Sequence, residues 1–141
     1  MKKIIFAFLV LLGIDQLTKI VARFLFTPPK EVLPFLTLHM TENSGIAFSF
    51  PFPPLLLLIL TAVLLGILGW VLVTKELVKI ETVAFLFLFS GAAGNFIDRV
   101  LYGSVTDFLK FWDLPIFNFA DIWITAGVVL FIWYELNKAK S

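Results

Sequence analysis

Asp107, in the stretch VTDF, and Asp121, in FNFAD, are the side chains best suited to acid and base chemistry. Neither has an evident basic partner nearby in sequence; Lys110 is close to Asp107 but equally suited to solvent. Two carboxylates brought together at a water-accessible, low-dielectric site do not both ionise easily. One pKa rises and the pair shares a proton. Such a pair can take a proton from water and give one to a leaving amine, which is peptide hydrolysis without a metal, serine or cysteine nucleophile. Asp121 also has a plain structural use, because it opens an apolar run where a carboxylate complements a helix dipole. Around the pair, the stretch Gly94 to Gly127 gathers Asn95, Asp98, Arg99, Asp113 and Asn118 into a chain with little polar character elsewhere. Charges near a bilayer are expensive, so each asks for a reason.

Two further groups of residues have helical spacing. Asp15 and Lys19 are four apart and can pair on one helix face, bracing a bundle from within. Gly91, Gly94, Asn95 and Asp98 fall on one stripe, where small residues admit close helix packing and an asparagine can hydrogen-bond across the contact. Arg99 stands beside Asp98 at the end of that stripe, and the set reads equally as a packing seam with a paired charge. Gly66 and Gly69 read as plain packing. The chain has no cysteine, which removes disulfides and thiolates, and its single histidine, His39, is too little for a catalytic zinc site. His39 reads as a surface or loop residue, and no metal or cofactor is expected. A net charge of +1 without a basic stripe gives no case for nucleic acid.

The elements that must position these residues are membrane spans. With 141 residues, 60% hydrophobic and only 15% charged, the chain could not cover its own surface in water. Apolar runs predict helices over 4–26, 55–73, 82–97 and 119–134. No small-residue cleavage site follows the first run, so it reads as a retained helix rather than a removed leader. Lys2, Lys3, Lys75, Lys79, Lys138 and Lys140 fall on one side of a four-span chain, which makes both termini cytoplasmic. The segments 27–54 and 98–118 then face outward as parts of a single domain, 1–141. The strand-like content of VLPFLTLHM and GIAFSF predicts a small outer sheet. At about 1.5 Å per residue, Asp15 lies roughly 18 Å from Lys3, Asn95 roughly 21 Å from Glu81 and Asp121 roughly 21 Å from Glu135. Polar groups of three spans therefore converge at one depth below the outer surface.

The ordered motifs of the chain resemble those of the lipoprotein signal peptidases, or signal peptidase II. DQLTK (Asp15 to Lys19) resembles the first-span motif, and NSGIAF (Asn43 to Phe48) resembles N-x-G-x-A-F. GAAGNFIDR (Gly91 to Arg99) matches G-x-x-G-N-x-x-D-R, and VTDF and FNFAD match the two aspartate motifs. Ile122 and Trp123 stand where many members carry smaller residues, while Asp121, Ile124 and Gly127 keep the pattern. The resemblance implies an all-α membrane protein of four spans with a small extracytoplasmic β-containing subdomain. It implies an aspartyl endopeptidase of the bacterial cytoplasmic membrane, its active site on the extracytoplasmic side. The enzyme would remove signal peptides from prolipoproteins just before a diacylglyceryl-modified cysteine. By resemblance Asp107 and Asp121 are catalytic, Asn43 and Arg99 hold substrate carbonyls, and Asn95 and Asn118 shape the site. Gly45, Asp15 and Lys19 support it, membrane lipid holds the substrate, and globomycin-type cyclic peptides are expected to block it.

Other chemistries can be drawn from the same residues. Intramembrane aspartates, a lysine and an asparagine suit a proton path, although no inverted repeat is visible. A phenylalanine-rich assembly factor would not depend on the aspartates. A Ser–Lys mechanism could use Lys19 with Ser44 or Ser104, but Asp15 four residues away would keep Lys19 protonated and unfit as a base.

Overall fold

The computed structural model describes residues 2–45 and 52–138. Its helices are α1 (Lys2–Leu25), α2 (Pro54–Thr74), α3 (Lys79–Tyr102) and α4 (Phe119–Lys138), and its strands are β1 (Lys30–Leu33), β2 (Leu36–Asn43) and β3 (Val105–Phe111). All four helices are long and apolar enough to cross a membrane. The chain is a multi-pass membrane protein, and the expectation of four spans with a small sheet is met. Of the predicted NSGIAF motif, residues 46–48 lie outside the described residues, as do most of GIAFSF and the orientation marker Lys140.

Helix α3 is the hub. It packs against α4, α2 and α1, and its buried face carries Ala84, Ser90 to Asn95 and Asp98. The seam with α4 depends on missing side chains. A Cβ at Gly91 would collide with the Ala120 carbonyl and Ile124, and one at Gly127 would come within 2.8 Å of the Ala84 carbonyl and Leu88. The pair Phe87 and Trp123 closes the same seam with stacked rings, centroids 5.7 Å apart, so the bulky Trp123 is absorbed by an aromatic contact. In contrast α2 buries only Leu68, as expected of a helix apolar on every face with lipid around it.

One span differs from its predicted limits in a way that matters for the site. Helix α3 begins at Lys79 and runs on through Asp98 and Arg99 to Tyr102, instead of ending at 97. A polar pair ends a hydropathy run but not a helix, provided the charges find partners inside the bundle. The helix stops only at Gly103, which takes the left-handed φ of 76° and donates its N–H to the Arg99 carbonyl, a capping conformation that favours glycine. Likewise α4 continues past 134 to Lys138.

The sheet joins the α1–α2 and α3–α4 connections in the order β1-β2-β3, all antiparallel. VLPFLTLHM does supply β1 and β2, turning at Pro34 and Phe35. The segment around Asp107, within the outward-facing 98–118, is the strand β3. It pairs Thr41 with Asp107, Glu42 with Thr106 and Asn43 with Val105. That register sets Asn43 of β2 beside Asp107. His39 lies half-buried on β2.

Candidate active site

Helix α4 is capped by the residues that surround its own aspartate. The Asn118 side chain accepts a hydrogen bond from the Asp121 N–H at 3.0 Å, and Asp121 Oδ2 accepts one from the Asn118 N–H at 3.2 Å. This is a reciprocal capping box, with Asn and Asp in the usual Ser/Thr and Glu/Gln places. A third backbone donor of that turn, Ala120 N–H, is met from another helix by Asp15 Oδ1 at 2.8 Å. The α4 N-terminus is thereby tied to α1, and the Asp121 carboxylate is held in one orientation.

Asp107 is 3% exposed on β3, and its two oxygens are held by amides. Asn118 Nδ2 donates to Oδ1 at 2.7 Å and Asn43 Nδ2 donates to Oδ2 at 3.1 Å. Asn95 closes the circuit: its Nδ2 donates to Asp121 Oδ1 at 2.9 Å, and its Oδ1 accepts from Asn118 Nδ2 at 3.1 Å and from Lys19 Nζ at 2.9 Å. Asn118, fully buried, therefore touches both aspartates. Burial, first, and the facing Asp121 carboxylate, second, push the Asp107 carboxyl up to about 6 against the opposing amide donors.

Asp107 and Asp121 open onto one cavity of about 390 Å³. Asn43, Asn95 and Arg99 complete its polar wall; Val105, Leu114, Pro115, Ile116, Phe117, Ile124 and Thr125 line the rest. Arg99 Nη2 donates to the Gly45 carbonyl at 3.2 Å, and its Nε–H, buried, has no hydrogen-bond partner among the described residues. The nine predicted site residues are thus one assembly in two tiers. Asn43, Asn95, Arg99, Asp107 and Asp121 line the cavity, Gly45 and Asn118 hold them, and Asp15 and Lys19 lie behind.

The rear tier is fully buried. Lys19 Nζ sits 2.8 Å from Asp15 Oδ2 and 3.6 Å from Asp98 Oδ2, so the predicted pair is one edge of a triangle. Among the described residues its polar contacts are to Asp15, Asn95 and Asp98, with no serine among them. Gly94 makes room for this cluster, since a Cβ there would overlap Asp15 Oδ2. Sequence reasoning missed Arg23 and Thr106. Arg23 donates from Nε and Nη2 to Thr106 Oγ1 at 2.9 and 2.6 Å, pairs with Asp98 Oδ1 at 3.2 Å and stacks 3.5 Å over the Tyr102 ring. The signal was available in the spacing: Asp15, Lys19 and Arg23 recur every four residues along one face of α1.

Comparison with known proteins bears on the family and the fold. Residues 7–137 match the family model for signal peptidase (SPase) II. The lipoprotein signal peptidase of Thermosynechococcus vestitus is 39% identical, over 86% of this chain and 84% of that one. That of Fusobacterium nucleatum is 38% identical over 91% and 82%, and that of Polynucleobacter necessarius 33% over 93% and 87%. Two solved structures of bacterial membrane enzymes, determined by the in meso method, superpose with TM-scores of 0.88 and 0.86. Their identities are 32% and 33%, covering 99% and 96% of this chain and 90% and 94% of theirs. The chain belongs to the signal peptidase II family.

Proposed function

We propose that the chain is a membrane aspartyl endopeptidase that removes signal peptides from diacylglyceryl-modified bacterial prolipoproteins, cutting before the lipidated cysteine. The observation that carries the reading is the convergence of two carboxylates on one cavity at the sheet end of the bundle, with every oxygen of the pair on an amide or backbone N–H. The name shared by the relatives supplies the substrate class, and the family supplies peptide hydrolysis.

In the proposed reaction the substrate's extended backbone lies in the cavity, its scissile carbonyl between the two aspartates. Arg99 and Asn43 donate to neighbouring substrate carbonyls. A water held by the pair loses a proton to Asp121 as its oxygen bonds to the carbonyl carbon. Asp107 in its protonated form, favoured by its raised pKa, gives its proton to the carbonyl oxygen. The tetrahedral intermediate collapses when the C–N bond breaks. Asp121 then protonates the departing amine, and Asp107 recovers its proton as the carboxyl product forms. Because the polar groups are fixed by the folded bundle, little reorganisation is needed as charge develops. The active site faces the extracytoplasmic side of the cytoplasmic membrane, with both termini cytoplasmic, as the lysines of the other end indicate. The substrate's acyl chains remain in lipid, and globomycin-type peptides occupy the same cavity.

A gel-shift assay tests this directly. Purified protein in detergent is mixed with a lipidated preprolipoprotein, and loss of the signal peptide is followed by mobility and by mass. Failure to process it, while a folded control enzyme does so under the same conditions, would remove the reading.

A further inference from the structure

Helix α1 contributes no residue to the cavity, yet it spends three charged side chains on the elements around it. Each touches a different part of the site. Asp15 accepts from the N–H of Ala120, the residue just before Asp121. Lys19 donates to Asn95, which in turn holds Asp121 and Asn118. Arg23 donates twice to the hydroxyl of Thr106, the residue just before Asp107. The two ends of the row therefore grip the neighbours of the two aspartates. Those aspartates belong to unlike elements, a helix N-terminus and a strand; the Leu109–Phe117 backbone bonds and Asn118 tie the two elements on the cavity side, and the α1 row braces both from behind. A helix is a stiff ruler, and the eight residues from Asp15 to Arg23 span about 12 Å along it.

We propose that α1 is the gauge that sets Asp107 against Asp121, and that Arg23, acting through Thr106, is a positioning residue for the reaction. The inference rests on the reading that these aspartates are the catalytic pair. The Thr106 end has the construction such a role requires. Its N–H donates to Asp98 Oδ2 at 2.8 Å while its hydroxyl accepts both Arg23 donors, so main chain and side chain are held from two helices. Arg23 is itself fixed by Asp98 at 3.2 Å and by the Tyr102 ring. Thr106 is 2% exposed and, one residue along a strand, its direction dictates the opposite direction of Asp107. A planar guanidinium with donors on one edge and a ring against its face has little freedom left, which a lysine could not reproduce.

The test uses the full-length protein in detergent with lipidated substrate, and reads kcat and KM separately. Thr106→Val keeps shape and removes the hydroxyl; Thr106→Ser keeps the hydroxyl. Expected are a kcat lowered about ten- to hundredfold in Thr106→Val and in Arg23→Met, the scale of a misplaced reacting group, with KM close to that of the parent. Thr106→Ser should retain most of kcat. The double variant should fall no further than the worse single one, because both remove one link. A parental kcat in Thr106→Val, an equal loss in Thr106→Ser, or losses that multiply in the double variant would each overturn the proposal. If Arg23→Met fails to fold because Asp98 loses a partner, the Thr106 pair decides alone, since neither change alters charge. Asp107→Asn separates the two levels: if it stays active, catalytic pair and gauge fall together, whereas an inactive Asp107→Asn beside a normal Thr106→Val removes the gauge only.

Discussion

Replacing Asp107 by asparagine should destroy the peptidase and, at neutral pH, stabilise the protein. The carboxyl is 3% exposed and is pushed up to about 6 by burial and by Asp121. Its ordinary value of 3.8 applies in the unfolded chain. The folded state therefore holds the proton more tightly than the unfolded state. Stability is complete below the unfolded value and is lost as pH rises through the folded one. The gap between 3.8 and about 6 corresponds to about 3 kcal/mol at ~1.36 kcal/mol per pH unit. Asparagine escapes that loss. It has a cost of its own, because its NH₂ must face a donor that an oxygen now satisfies, Asn43 or Asn118. One such mismatch is worth about 1–3 kcal/mol, but it does not vary with pH over this range. The expected signature is a difference in stability, variant over parent, that grows by about 3 kcal/mol between pH ~3 and pH ~7. Thermal unfolding of both proteins in detergent across that range reads it out, alongside turnover of lipidated substrate. A difference that stays flat with pH would refute the argument that the site holds Asp107 against its ionisation. Retained turnover would refute its catalytic role.

The other expectations can be checked with the same reagents. Asp121→Asn should abolish cleavage like Asp107→Asn, and the double variant should cost little more than either, because one water and one proton serve both groups; exposed Asp113→Asn is the control and should turn over normally. Arg99→Lys should lose most activity while folding normally, since a point charge cannot replace a fork that bonds Gly45 and faces the cavity; parental kcat/KM would show Arg99 to be an anchor only. Unlipidated substrate should be cut far more slowly than its diacylglyceryl form, whose buried chains hold the cleavage site at the membrane surface at ~0.8 kcal/mol per CH₂; equal rates would leave a general signal-peptide peptidase. Lys19→Met should fail to accumulate as folded protein, because Asp15 and Asp98 would remain buried without their shared cation, a loss of about 3–5 kcal/mol; a folded, monodisperse variant would contradict that.

The spans were legible because lipid demands long apolar runs and little else imitates them. The site's membership was legible through five short motifs in order, whose polar residues have few other uses in so apolar a chain. What stayed hidden depends on tertiary partners. Asp98 and Arg99 looked like the end of a span; they continue α3 because Lys19, Arg23 and the Gly45 carbonyl receive them. VTDFLKF mixes polar and apolar residues too evenly to announce a strand, and it becomes one by pairing with β2. The pairing of Asp15 with Lys19 was visible in their spacing. That Asp15 also caps a helix beginning more than a hundred residues later was not, because nothing local requires it.

The cavity has two walls of different character, and that asymmetry bears on how the enzyme could escape a drug. On the polar wall Asn43, Asn95, Arg99, Asp107 and Asp121 each already serve a hydrogen bond that another site residue needs. On the proposed mechanism, a substitution there that repels an inhibitor also dismantles the reaction. The rest of the lining, from Leu114 to Phe117 with Ile124, offers apolar side chains, and Leu114 and Pro115 are exposed in the connection before α4. Changes of side-chain size on that side alter what fits without replacing either carboxylate. Resistance to a cavity-filling compound therefore has a cheap route through residues 114–117 and an expensive one everywhere else. A compound that draws its affinity from the amides and the two carboxylates, leaving the apolar side loosely filled, closes the cheap route.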